Sequence, residues 1–307
     1  MMQVECNDTA IANETFQRLK IDVTGTQLAV GKLHGRIQAS FIDDVIFMSA
    51  YFNRKTLFHG GRMPGMTPLS FMTGQSPDCY FHGDTTEGAE LCGFHLHKQD
   101  TMVHWQSELC VIYVPTMRLM HYLEDIGAEH AMERMDQINQ LPLSAENRRI
   151  VERLFRRGMN GSLTCSEQVM GRMAMMLEEP VAEEPLPVDP GRDRELSNFV
   201  RFAHESVKGA PLSVPQIFKS LGLDVRREKT LRTKCKAAYG LGLAALAKRC
   251  RLEQARVSLR RDHLTVKASM AKHSFIDRKQ FNSDYYKVYG VRPEDDRIYG
   301  QASMFDL

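Results

Sequence analysis

The sequence predicts an α+β protein: an N-terminal β-barrel with following helices, then an all-α domain holding two helix-turn-helix units. Three observations predict it. Between about residues 21 and 115, apolar and β-branched residues come in short runs separated by Gly, Pro, Asp or Asn. From Thr116 onward the apolar spacing becomes helical. Charge also changes sign along the chain: Asp193 to Gly300 holds 23 Lys and Arg against 12 Asp and Glu, leaving 17 and 26 elsewhere, although the net charge is only +2. A basic block beside an acidic remainder is the electrostatic footprint of a nucleic-acid-binding domain joined to something else.

The chain's 307 residues are enough for roughly two domains, and 43% hydrophobic residues supply packed cores. No run of eighteen apolar residues exists, so no membrane span is expected. The first ten residues, MMQVECNDTA, lack the basic-then-apolar order of a signal peptide. The seven cysteines (6, 79, 92, 110, 165, 235 and 250) form neither a disulfide framework nor a zinc spacing. A reducing cytoplasm is the expected location.

Six strands are expected: Gln27–Leu33, Ile37–Ile42, Val45–Tyr51, Leu69–Thr73, Leu91–Leu96 and Leu109–Val114. Without intervening helices they read as a closed or nearly closed barrel, of a size that encloses one small ligand. His82, His95, His97 and His104 fall within it. His95-x-His97 followed by His104 resembles a cupin metal site, because alternate strand residues face the same way. The usual cupin order then requires a Glu a few residues on, and Glu108 lies beyond His104 instead. Structural or ligand-contacting histidines are the expected reading. The alternative is a cupin-like metal-dependent enzyme using His95, His97 and His104. No Ser-His-Asp arrangement, phosphate-cradling glycine loop or HExxH occurs, so an enzyme is not expected and no cofactor is called for.

Three helices follow: Met117–Leu123, Ala145–Arg157 behind Ser144 as N-cap, and Glu167–Leu177 behind Ser166. Ile150, Leu154 and Arg157 lie along one side of the second, with Val151 and Phe155 adjoining. Val169, Met170, Met173, Met176 and Leu177 form an apolar stripe on the third. These elements complete a first domain over 1–177. Residues 178–192, with four prolines and five acidic residues, read as a solvated linker.

The basic domain, 193–300, opens with a helix from Asp193 to about Lys208. In the first helix-turn-helix unit Ser213 caps a short helix with Pro215 in its first turn, Ile217, Phe218 and Leu221 pack inward, and Gly222 turns the chain. The next helix, about Arg227 to Tyr239, holds Leu231 and Cys235 inward and Lys229, Arg232, Thr233 and Lys236 outward. Leu243–Arg260 connects to a second unit, with a short helix Val266–His273, a turn Ser274–Asp277 and a longer helix. On that last helix Phe281, Tyr285 and Tyr289 share one face, and Lys279, Asn282, Ser283 and Tyr286 the other. Gly290 is placed to end it in a left-handed cap, with Pro293 forbidding its continuation. The outward face offers donors, acceptors and a cation suited to base edges and phosphates in a major groove.

The run Phe281-x3-Tyr285-x3-Tyr289-Gly290-x-x-Pro293 resembles the signature of AraC/XylS-type transcription regulators, and Arg251-Leu252-x-x-Ala255-Arg256 resembles the family's connector motif. On strand order and position, the sensor half is most nearly similar to the ethanolamine-operon regulator subgroup. The resemblance implies a bacterial transcription regulator, mostly of the activator type. It implies DNA contacts at Lys229, Arg232, Thr233 and Lys236, and at Arg278, Lys279, Asn282 and Ser283. Its implied partners are double-stranded promoter DNA, RNA polymerase, a small-molecule effector in the barrel, and a second copy of the chain docking through the Met-rich helix. There are departures from the family pattern. The turn GLDVRREKTL is longer than usual, Cys235 stands where an aromatic is common, Gly242-Leu243 replaces Ser-Pro, and Met270 and Ser274 occupy usual Ala and Gly positions. They bear on the DNA contacts of the first unit more than on the fold.

Overall fold

The computed structural model describes residues 1–60, 63–73, 79–81, 84–86, 90–95, 100–104, 108–179, 181, 194–205 and 213–302. Its N-terminal part is strand-rich and its C-terminal part helical. The strands are β1 (Met2–Cys6), β2 (Val23–Gln27), β3 (Gly35–Ile42), β4 (Val45–Phe52), β5 (Thr56–Gly60), β6 (Met66–Thr73), β7 (Cys79–Phe81), β8 (Asp84–Thr86), β9 (Glu90–Cys92), β10 (Asp100–His104), β11 (Glu108–Pro115) and β12 (Gln140–Pro142). They form two antiparallel sheets, ordered β1-β3-β4-β11-β6-β9-β12 and β2-β5-β10-β7-β8. Among the described residues no strand pair joins the two sheets, where the sequence reading has one barrel wall.

Period-two alternation decides which core each residue enters. Met48, Ala50 and Phe52 of β4 pack with Phe58 of β5 and with Ala12 and Phe16 of α1 (Thr9–Arg18). Val45 and Phe47 point the other way, onto α2 (Thr116–Asp125), α3 (Glu129–Gln137), α4 (Ala145–Met159) and α5 (Ser166–Glu178). Both faces of the seven-stranded sheet are therefore covered. This is why its strands read as near-continuous apolar runs.

Several expectations need correction. Gln27–Leu33 is not a strand: β2 ends at Gln27, Gly31 takes φ +101°, and Leu28 turns into a core made with C-terminal helices. The strand expected at Leu91–Leu96 stops at Cys92. Ser144 caps α4 as expected, accepting from Asn147 N at 3.1 Å. Ser166 does not cap α5; it is buried inside the helix, with Cys165 in the cap position. Arg157 is exposed, and the buried side of α4 runs through Val151, Leu154 and Phe155. The methionine stripe of α5 is buried in its own core with Met173 fully covered, so it cannot be the face that docks a second copy. The linker reading falls mostly on 182–193, outside the described residues.

The C-terminal helices are α6 (Arg194–Glu205), α7 (Val214–Ser220), α8 (Glu228–Tyr239) after a 3₁₀ turn at Val225–Arg227, α9 (Leu243–Arg260), α10 (Val266–Lys272), α11 (Arg278–Tyr289) and α12 (Pro293–Ala302). Pro293 follows the end of α11 but starts α12 at its first position, where a missing N–H costs nothing. Phe199, Phe218, Leu231, Cys235 and Leu246 form one core, with Leu28 and Leu57 from the strand-rich half inside it. Leu252, Ala255, Phe281, Tyr285 and Tyr289 form a second. The connector α9 contributes to both cores.

Candidate nucleic-acid interface

The helix pairs α7–α8 and α10–α11 are built alike. Gly222 (φ +63°) turns the chain in the first pair and Ser274 (φ +58°) does so in the second, so a non-glycine residue bears the left-handed strain there. The first helix of each pair is started by its own residues. Gln216 Oε1 accepts from Ser213 N at 2.7 Å, and Thr265 Oγ1 accepts from Ala268 N at 3.1 Å. Asp277 caps α11 by accepting from Gln280 N at 2.9 Å, whereas α8 starts from the 3₁₀ turn with no side-chain cap. That turn is the extra length noted in the sequence. Both second helices end on a left-handed glycine, Gly240 and Gly290, each at φ +72°.

The inward residues are anchored as their spacing predicts. Phe281, Tyr285 and Tyr289 are buried in a ladder of ring contacts with Phe275 at its start. Two of these rings carry hydroxyls into a buried ionic cluster. Tyr285 donates to Asp296 Oδ2 at 2.7 Å and Tyr289 to Glu253 Oε2 at 3.1 Å. Arg256 binds Asp296 at 2.7 Å and lies 4.3 Å over the Tyr289 ring. Burial pushes both phenols well above their usual range, despite the nearby Arg256 guanidinium. The connector motif is thus the floor beneath α11. Arg251 stacks 5.1 Å over Phe275 at the turn.

On the opposite faces, Lys229, Arg232, Thr233 and Lys236 of α8 are all exposed, as are Arg278, Lys279 and Ser283 of α11. Asn282 is half-buried, and its Oδ1 has no hydrogen-bond partner. Thr233 Oγ1 donates to its own helix at Lys229 O, 3.1 Å away. Two cations are already engaged: Arg232 by Glu228 one turn back, and Arg278 by Glu294 at 3.0 Å. The first pair is legible as an i, i+4 spacing; the second depends on where α12 folds back. Two large apolar side chains are exposed here, of which Tyr286 was expected on the outward face of α11 and Ile276 was not singled out by sequence reasoning. Ile276, 93% exposed in the turn before α11, is an uncapped aliphatic side chain with no core to fill, and Tyr286 is 58% exposed.

The strand-rich half reaches the far ends of both outward helices. Gly31 N donates to Val288 O at 2.9 Å, and Gln27 Nε2 donates to the same carbonyl at 3.0 Å. The Lys32 backbone and Cγ pack beside Gly290, and the Lys55 ammonium lies beside Gly240, where the dipole of α8 ends negative. Asp8, fully buried at the start of α1, pairs with Arg260 of α9, and Thr9 bonds Glu253. His204 of α6 stacks on His59 of β5, ring centroids 6.1 Å apart.

The alternative metal centre cannot be assembled from the described residues. His82 and His97 lie outside them, as does the side chain of His104. His95 is half-buried with its backbone N–H on Asn139 Oδ1 at 3.1 Å. Among the described residues, no group of three His, Cys, Asp or Glu could hold a metal ion. Likewise, none of their helices is long and apolar enough to cross a membrane.

No protein-family model and no curated protein matches this sequence. Among solved structures it is similar to the AraC-like transcriptional activator CuxR, at 13% identity over 84% of this chain and 96% of that one, with a TM-score of 0.41. It is also similar to ToxT from Vibrio cholerae, at 8% identity over 90% and 97% with a TM-score of 0.32. The xylose-binding transcription activator xylR aligns over 47% of this chain and 39% of its own, at 17% identity and a TM-score of 0.29. At scores below 0.5 these likenesses decide neither the fold nor the activity of this chain.

Proposed function

We propose that this chain is a sequence-specific DNA-binding transcription regulator of the AraC type, acting as an activator under the control of a small-molecule effector. The single observation carrying this reading is the duplicated helix pair. Two helices, α8 and α11, end on identical left-handed glycines, bury one face on a shared connector and turn cationic and polar residues outward. A pair of such helices suits successive major-groove segments about one helical turn apart, roughly 34 Å. The basic block supplies affinity by counterion release, while the outward side chains supply discrimination.

Lys229, Lys236 and Lys279 make no ion pair among the described residues and are the cations most readily given to phosphate. Arg232 and Arg278 must exchange a carboxylate for DNA, which ties their contribution to specific docking. The effector acts through the strand-rich half, whose contacts at Val288, Gly240 and Arg260 couple it to the helix pairs. RNA polymerase and a second copy of the chain complete the proposed assembly, the copy docking on a surface other than the buried methionine stripe.

The test is promoter binding by the full chain as salt rises from about 50 to 200 mM. A loss on the order of 10³-fold is expected for six or more phosphate contacts. Binding that does not change with salt overturns the reading.

A further inference from the structure

A cleft of about 630 Å³ lies where the two halves meet. That volume is in the range of small-molecule sites. One wall belongs to α1 and β2, the other to α6, α9 and α10.

Charge is separated across the cleft. Glu14, exposed on α1, makes no ion pair among the described residues. On the other wall Arg261 and Lys272 share a single carboxylate, Asp262, at 3.2 and 3.0 Å. That wall therefore holds one positive charge in excess.

Neutral groups line the space between them. Ser258 Oγ donates to Asp262 Oδ2 at 3.3 Å, so the hydroxyl must accept from His273 Nε2 at 2.8 Å. His273 Nδ1 is then an acceptor, and it has no donor. Burial, and then the charge of Lys272, hold this imidazole down at about 4, so it is neutral near pH 7. Gln254 spends its NH₂ on the His204 carbonyl, and its Oε1 also has no donor.

We infer that this cleft binds a small zwitterion of the amino-acid type, its ammonium towards Glu14 and its carboxylate towards Arg261 and Lys272. A neutral polyol leaves the separated charges unmatched, and a dianion exceeds the single surplus positive charge. Because the walls come from different halves, the ligand bridges them beside the Asp8–Arg260 contact and stabilises their docked arrangement. Its consequence for promoter affinity rests on the regulator reading; the binding itself does not.

The test uses the full chain and a panel of α-, β- and γ-amino acids, with the matching amines and carboxylic acids as controls. At least one zwitterion should raise the melting temperature by on the order of 4 °C at about a hundredfold excess over its Kd. Lys272→Met and Glu14→Gln, both on exposed side chains and so compatible with folding, should each weaken that ligand at least ~10-fold. The inference is overturned if no zwitterion stabilises the protein, if both variants bind as well as the parent, or if an amine or acid alone does as well. Promoter binding is measured in parallel. Its loss with ligand binding intact would remove the regulator reading alone, and the reverse would remove the cleft alone.

Discussion

The side-chain amide of Gln27 donates to the backbone carbonyl of Val288, 3.0 Å away and 261 positions along the chain. The same NH₂ group serves Ala29 O at 2.8 Å and Gly31 O at 2.6 Å, and Gln27 is fully buried. One side chain thus holds a loop of the strand-rich half in the shape that meets the end of α11. In Gln27→Ala, Val288 keeps the Gly31 N–H, but the carbonyls of Ala29 and Gly31 lose their donor. A loss of about 1–3 kcal/mol is expected, seen as a lower urea midpoint at unchanged slope. An unshifted midpoint would mean the two halves are not docked this way in solution.

Arg232→Ala and Lys279→Ala should each weaken binding to the cognate promoter, by different routes. If Arg232 reads a base, its loss costs about 1–3 kcal/mol on cognate DNA and much less on unrelated DNA. If Lys279 meets phosphate, its loss weakens all sequences alike and lowers the salt slope by about 1. Fluorescence anisotropy with cognate and scrambled duplexes separates these patterns. No effect from either substitution would show that these helices do not face DNA.

Arg256→Met should destabilise the fold by about 3 kcal/mol, because it leaves the buried carboxylate of Asp296 with only Arg260 at 3.1 Å and Tyr285 at 2.7 Å and takes from buried Glu253 the guanidinium charge that favours its ionised form. Equilibrium unfolding in urea measures it. A change under about 1 kcal/mol would show that water reaches the cluster.

Acid should loosen the junction through His204. Burial first, and the neighbouring His59 second, hold its imidazole down at about 3, against an ordinary value near 6.5 in the unfolded chain. The folded state therefore excludes a proton that the unfolded state binds. The stability this group contributes is complete above pH 6.5 and is lost as pH falls towards 3, at about 1.4 kcal/mol per pH unit. Thermal midpoints between pH 4 and 7 should fall more steeply for the parent than for His204→Gln. Parallel curves would place His204 in water.

Local chemistry made much of the C-terminal half legible. Phe281, Tyr285 and Tyr289 at four-residue spacing, Ser213 and Thr265 at helix starts, and Gly240 and Gly290 at helix ends each fix a turn of chain through their own neighbours. The connector α9 runs from Leu243 to Arg260 as its periodicity requires. Outward placement of Lys229, Arg232, Thr233, Lys236, Arg278, Lys279 and Ser283 follows from the same register. Strands β1, β5, β7, β8, β10 and β12, all of β2 but its last residue, and helices α1, α3 and α12 were missed, since short mixed segments carry little period of their own.

By itself the sequence determined the charge division, the two helix pairs and the glycine-capped outward helices, because these depend on residues within a few positions of one another. Only the tertiary structure decided that the methionine stripe of α5 is interior, that Gln27–Leu33 leaves its sheet for the end of α11, and that Glu14 faces Arg261 and Lys272 across a cleft. Those relationships join residues from tens to some 260 positions apart. No local periodicity encodes them; they are settled by which apolar surfaces exclude water together and which buried charges find each other there.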